Sequence, residues 1–177
     1  MTITTTVVVA NPKPGSRTRQ VAESIAAALL PAGSTEPMVI DLADHAGDLL
    51  RWPSDATDAL VERITGSDLV VLATPTYKST FTGLLKALLD RVPALGLAGV
   101  TVVPVMSGGD RMHAMAPNQT LVPILLELGA MVPGRGHFIV IGDATDLDAV
   151  AAGIAAEVAA ALGRLERVAI GLRSPDR

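Results

Sequence analysis

The chain has 177 residues, 49% apolar and 18% charged, which fits one globular domain with a single core and excludes a disordered segment. A formal charge of -4 argues against nucleic acid as the main partner, because a phosphate backbone needs a basic stripe. The absence of cysteine excludes disulfides, thiolate zinc, iron–sulfur clusters and cysteine catalysis.

The elements alternate along the chain. Residues 4–10 form a β-branched, continuously apolar run and read as a buried strand. The run is too short and too uncharged at its start for a signal peptide. A helix follows over 17–30, with Val21, Ile25, Ala28 and Leu29 on one face. A short strand spans 38–42, and helical spacing returns over 54–65 through Ala56, Ala59, Leu60 and Ile64. The clearest strand is 68–73, followed by a helix over 80–90 carrying Phe81, Leu84, Leu85, Leu88 and Leu89. That stripe looks wide enough to meet both the sheet and a partner, the simpler alternative being burial against its own sheet alone.

A strand over 99–105, a helix over 118–128 and a strand over 136–141 come next. The closing helix, 146–170, shows one stripe of Leu147, Val150, Ile154, Val158, Ala161, Leu165 and Val168. Ahead of it, Thr145-Asp146-Leu147-Asp148 resembles a capping box. Glu157 interrupts its Ala-rich stretch, which is too short to span a bilayer, so a soluble cytoplasmic protein is expected. Residues 1–172 read as a single domain and 173–177 as a polar tail.

Strands that are continuously apolar and alternate with helices predict an α/β fold, a parallel sheet covered on both faces. Such sheets bind ligands beyond the carboxyl ends of their strands. Three loops at those ends are unusual. The first, 11–18, contains neither a G-x-G-x-x-G nor a P-loop pattern, but Gly15-Ser16-Arg17-Thr18 opens a helix. Free N–H groups, two hydroxyls and the helix dipole favour a phosphate there, with Lys13 and Arg17 adding charge; as a simpler role, Ser16 caps the helix. The second, 74–80, holds the only tyrosine, Tyr77, on which a planar ligand could lie; the alternative is a Tyr packed under the next helix. Gly83, read as lying inside a helix, suggests a close backbone approach. The third, 106–117, contains Ser107-Gly108-Gly109-Asp110, whose glycines can form an N–H nest or an ordinary turn. Met112 and Met115 in the same loop are adaptable apolar groups.

The run Ala73-Thr74-Pro75-Thr76-Tyr77-Lys78-Ser79-Thr80-Phe81-Thr82-Gly83-Leu84-Leu85-Lys86-Ala87-Leu88-Leu89-Asp90 resembles the T-P-x-Y-x-x-x-x-[ST]-G-x-L-K-x-L-[LI]-D segment of the NADPH-dependent FMN reductase family. Gly15-Ser16-Arg17-Thr18 and Ser107-Gly108-Gly109 are similar to its phosphate and glycine loops, and the likeness covers about residues 7–140. The opening Asn11-Pro12-Lys13-Pro14 departs from the usual Gly-Ser-x-Arg, and 116–120 lacks a tyrosine that sulfonate-linked members carry.

The resemblance implies a flavodoxin-like, doubly wound five-stranded parallel sheet of order 2-1-3-4-5. It implies hydride transfer from NADPH or NADH to FMN, with flavin passed to a partner monooxygenase. Ser16, Arg17 and Thr18 would bind the FMN phosphate. Pro75, Thr76, Tyr77 and Lys78 would line the ring toward N5 and O4, and Ser107, Gly108 and Gly109 would face N1 and O2. Asp110 and Arg111 would border the ring or the nicotinamide. The flavin carries the chemistry, so no catalytic acid or base is implied and no metal is expected. A homodimer or homotetramer is implied as well. Three other readings are an FMN-bound quinone or azo reductase, a flavodoxin-type carrier disfavoured by the low aromatic content and modest charge, and a non-flavin binding or signalling domain on the same fold, disfavoured by the match over residues 74–90. The histidines are too scattered for a metal site: His113 follows the glycine loop, while His45 and His137 read as surface or strand-end residues.

Overall fold

A computed structural model describes residues 3–173. Of the expected polar tail, only Arg173 lies among them. Five strands, β1 (Thr5–Val9), β2 (Met38–Asp41), β3 (Leu69–Pro75), β4 (Thr101–Gly108) and β5 (His137–Val140), form one parallel sheet of order 2-1-3-4-5. The order is the flavodoxin-like one that the resemblance implied.

Alternation of side chains across the strands creates two cores. Val8, Val70, Leu72, Val102 and Met106 face one side, under α3 (Asp55–Thr65), α4 (Gly83–Leu89) and α5 (Val122–Glu127). Val7, Val9, Val71, Val103, Val105 and Ile139 face the other, under α1 (Arg17–Leu29) and α6 (Leu147–Arg173). With both faces covered, β1, β3 and β4 are buried along almost their whole length and carry continuous apolar runs with no polar alternation.

Several boundaries differ from the sequence reading, each for a local reason. The 80–90 helix begins only at Gly83, because the Thr82 hydroxyl accepts the Leu85 N–H and caps it there. Gly83 is therefore the first helical residue, and a Cβ there would meet nothing within 4 Å, so no close approach explains it. The fourth strand runs on to Gly108, placing Ser107 and Gly108 on β4 and leaving Gly109 to start the loop. The 118–128 helix opens with a π turn over Pro117–Leu121. Pro123 has no N–H for the Gln119 carbonyl, so the ladder widens and Val122 donates back to Pro117 instead. A 3-10 turn (Leu42–His45) and the one-turn helix α2 (Ala46–Leu49) after β2 have no counterpart in the sequence reading. Asp41 nucleates them by accepting the Ala43 N–H.

At the head of α6, Asp146 accepts the Ala149 N–H and is the cap, while the Thr145 hydroxyl accepts from Gly142 N–H and donates to the Val140 carbonyl. The capping-box reading is thus shifted by one residue. On the α6 stripe, Leu147 and Val150 are partly buried and Ile154, Val158 and Ala161 buried, but Leu165 and Val168 are exposed, because 27 residues, ~40 Å of helix, outrun a sheet this shallow. On the α4 stripe, Phe81, Leu85, Leu88 and Leu89 are buried in the chain's own core, while Leu84 is only partly buried. No helix among the described residues is long and apolar enough to cross a membrane.

Candidate functional site

The carboxyl ends of β1, β3 and β4 bring the three unusual loops to one place, and Ser107 sits where they meet. Its hydroxyl lies 3.4 Å from that of Thr18, and its carbonyl accepts the Thr76 N–H at 2.7 Å. One buried residue near the end of β4 thereby touches both other loops.

The first loop is braced by its own polar groups. Asn11 donates through Nδ2 to the Thr18 hydroxyl at 3.0 Å and accepts the Lys13 N–H through Oδ1 at 2.9 Å. Gly15 takes a φ of +60°, which lets the chain turn sharply into Ser16. Ser16 caps α1 by accepting the Arg19 N–H, as its bland reading had it. Arg17 and Thr18 then hold the first helical N–H groups, which have no acceptor within the helix. Helix capping and anion binding are compatible, because different N–H groups serve each. The Arg17 guanidinium leans 3.3 Å from exposed Asp143, and a surface pair worth under ~1 kcal/mol gives way readily to a phosphate.

Asp41 was not among the residues singled out from the sequence. Its buried carboxylate accepts the Gly15 N–H at 3.3 Å and lies 3.7 Å from Arg19. It fixes the loop from below. An Asp ending a short strand and starting a turn was the sequence signal available.

The second loop is a tight hairpin. Tyr77 and Thr80 exchange N–H and C=O bonds at 2.8 and 3.2 Å, around Lys78 (φ 52°) and Ser79 (φ 68°). Both central residues are left-handed, which is a type I′ turn with neither of the usual Asn-Gly residues. Two strained non-glycine residues in succession mark a place where geometry is held for a purpose. The turn leaves the Lys78 and Ser79 N–H groups outside its own bonding. Tyr77 is 52% exposed, so it does not pack under the following helix. Buried Thr74 and Thr82 anchor the hairpin base: the Thr82 N–H donates to the Thr74 hydroxyl, and the Thr82 hydroxyl donates to the Ala10 carbonyl.

Next to it, Thr76 Oγ1 is buried without a hydrogen-bond partner among the described residues. In the third loop, Phe138 closes the space over Gly108, where a Cβ would come within 2.9 Å of its ring, while Gly109 faces open space. Asp110 turns back to accept the Met112 N–H at 2.8 Å. Arg111 is exposed and His113 half-buried. All ten expected ligand-binding residues therefore lie on these three converging segments, with Ser107 and Gly108 on β4 rather than in a loop.

The arrangement suits FMN by its donors. A helix N-terminus with a cation serves a phosphate, outward N–H groups and an orphaned hydroxyl serve a polar ring edge, and an exposed tyrosine offers a flat face. His137 belongs elsewhere, at the start of edge strand β5, and it is buried rather than on the surface. No group of three or more potential metal ligands occurs among the described residues.

The family described as NADPH-dependent FMN reductase matches residues 3–145. The FMN reductase (NADPH) of Escherichia coli (strain K12) is 39% identical over 93 residues, 51% of this chain and 49% of that protein. The NADH-dependent FMN reductase SfnE of Pseudomonas putida is 29% identical over 154 residues, 84% of this chain and 83% of its own. The chain spans about half the length of the first curated relatives it matches. Among solved structures, the apo form of an NADH:FMN oxidoreductase (EMOB) superposes with a TM-score of 0.76 at 27% identity, covering 89% of this chain and 88% of that one.

Proposed function

The chain belongs to the NADPH-dependent FMN reductase family, and on that footing we propose that it passes a hydride from NADPH or NADH to FMN bound across the β1, β3 and β4 loops. The observation that carries this reading is the meeting of all three loops at Ser107. When bound, the flavin supplies the redox chemistry, accepting hydride at N5.

The chain's own residues bind and orient. Arg17, Thr18 and Ser16 hold the phosphate at the positive end of α1. The Lys78 and Ser79 N–H groups, with Thr76 Oγ1, meet the N5/O4 edge, and Pro75 and Tyr77 line the ring. Ser107, Gly108 and Gly109 present the N1/O2 side with donors that favour negative charge developing there, as in an oxyanion hole. No side chain is asked to move a proton for the hydride step. Residues 1–172 act as one flavin-binding domain, working in the cytoplasm as a homodimer or homotetramer and handing reduced flavin to a monooxygenase.

The test mixes the protein anaerobically with a large excess of FMN and NADPH or NADH, following the flavin's visible absorbance. Bleaching of the whole pool is expected. Bleaching of one equivalent per subunit would make FMN a bound cofactor with another acceptor. No bleaching with either nucleotide would refute the reading.

A further inference from the structure

Beside the candidate flavin site, a slot of about 560 Å³ runs along edge strand β5, between the loop and π turn on one side and α6 on the other. The size is ordinary for a small-molecule site. Its floor is the strand's open edge. Ile141 donates its N–H to the Gly108 carbonyl at 2.8 Å, so odd-numbered residues of β5 turn their main-chain groups toward β4. Even-numbered residues turn theirs outward.

The outward groups are treated unequally. The Asn118 carboxamide pairs with Gly136 twice, accepting its N–H at 2.9 Å and donating to its carbonyl at 3.0 Å. The Thr145 hydroxyl donates to the Val140 carbonyl at 3.2 Å. Between them, the N–H and C=O of Phe138 face the slot with no partner among the described residues. Capping on both sides blocks a sixth strand, a usual way of protecting a sheet edge. What remains is room for one planar group that offers an acceptor beside a donor.

Asn118 on Gly136 shows that a carboxamide fits this edge. Adenine presents the same pairing along its N7 and N6 edge, which is why carboxamides read it bidentately. The slot walls suit a flat base, with Ala114 and Met115 on one side and Val150, Gly153 and Ile154 on the other. At the end nearest the glycine loop stands Arg111, which makes no ion pair among the described residues, whereas Arg135 is held bidentately by Glu157 at 2.9 to 3.1 Å. His137 lines the same slot with Nε2 buried and unpartnered, the sort of atom that a ribose hydroxyl or a bridging water completes.

We propose that the β5 slot binds an adenine nucleotide, its base on the Phe138 main chain and its phosphate on Arg111. The slot shares the loop after β4 with the candidate flavin site. Two sources therefore share the chemistry: the adenosine half of the reductant, which rests on the reading above, and a free nucleotide.

The test titrates 5′-ADP into the flavin-free protein and follows backbone amide resonances. The expected result is that Phe138, Val140, Gly153 and Arg111 shift together. The Gly153→Leu variant places its side chain where a Cβ meets nothing within 4 Å, so it fills the slot without a clash. It should weaken 5′-ADP at least tenfold and leave FMN affinity unchanged. No shift, shifts confined to Arg17 and Thr18, or equal binding by Gly153→Leu would overturn the proposal. Competition of 5′-ADP against NADPH or NADH in flavin reduction identifies the reductant's adenosine, and binding without competition identifies a separate nucleotide. Because the titration contains no flavin, it stands whether or not the protein reduces FMN.

Discussion

Replacing Thr18 by Val tests the phosphate end of the site at the residue that also ties the first loop to β4. The swap nearly keeps the side chain's shape and removes one hydroxyl. That hydroxyl accepts from Asn11 at 3.0 Å, so its own hydrogen remains free for Ser107, 3.4 Å away, or for a phosphate oxygen. Two effects follow. The Asn11 amide loses a part-buried partner, costing about 1–2 kcal/mol. At ~2–4 °C per kcal/mol for a chain of this size, the melting temperature falls by a few degrees. A hydrogen bond to a charged phosphate is worth about 1.5–3 kcal/mol, so FMN should bind roughly ten- to 150-fold more weakly. Thr18→Ser keeps the hydroxyl and should recover most of both losses. Flavin fluorescence titration and thermal melting separate the two effects. Riboflavin, which lacks the phosphate, should show little change in affinity. An FMN affinity within twofold of wild type in Thr18→Val, or an equal loss for riboflavin, would refute this placement.

Tyr77→Ala should weaken flavin binding or turnover with the melting temperature nearly unchanged, because the ring is half-exposed; wild-type affinity and rate in that variant would remove Tyr77 from the site. The pair Lys78→Asn with Ser79→Gly installs residues that tolerate positive φ, and thermal melting should show a net gain of about 1 kcal/mol, after allowing for glycine's unfolded-state entropy. A loss of stability would mean the left-handed turn is not strained. Burial lowers the His137 pKa below its usual value, with Arg135 acting the same way and Glu157 opposing. Its neutral form is favoured by folding, so this contribution is full above the ordinary histidine pKa and is lost as pH falls below about 6.5. Melts taken across that range should flatten in His137→Gln, and an unchanged slope would reject the assignment.

The sheet was legible because strands buried on both faces carry continuous apolar runs, as residues 7–9, 69–73 and 102–106 do. The site's three segments were legible because each breaks that pattern with Gly, Pro or hydroxyl residues at or just past a strand's carboxyl end. What escaped is set by contacts distant in sequence. Asp41 reaches Gly15 across 26 positions, and Ser107 reaches Thr18 across 89. Neither distance leaves a periodic trace. The π turn at Pro117–Leu121 escaped because apolar spacing cannot separate it from an α-turn, although Pro123 contains the reason. The hairpin at Tyr77 escaped because Lys-Ser is not a usual left-handed pair. The α6 stripe shows the limit of periodicity, which identifies the apolar face but not whether a sheet is there to cover all of it: Leu165 and Val168 are exposed.

The most direct test of a single flavin site on three loops is an FMN titration followed through the backbone amides. The account predicts that Arg17 and Thr18, Lys78 and Ser79, and Gly108 and Gly109 move together and saturate with one dissociation constant. Shifts limited to one of these loops, or a response centred away from all three, would contradict it.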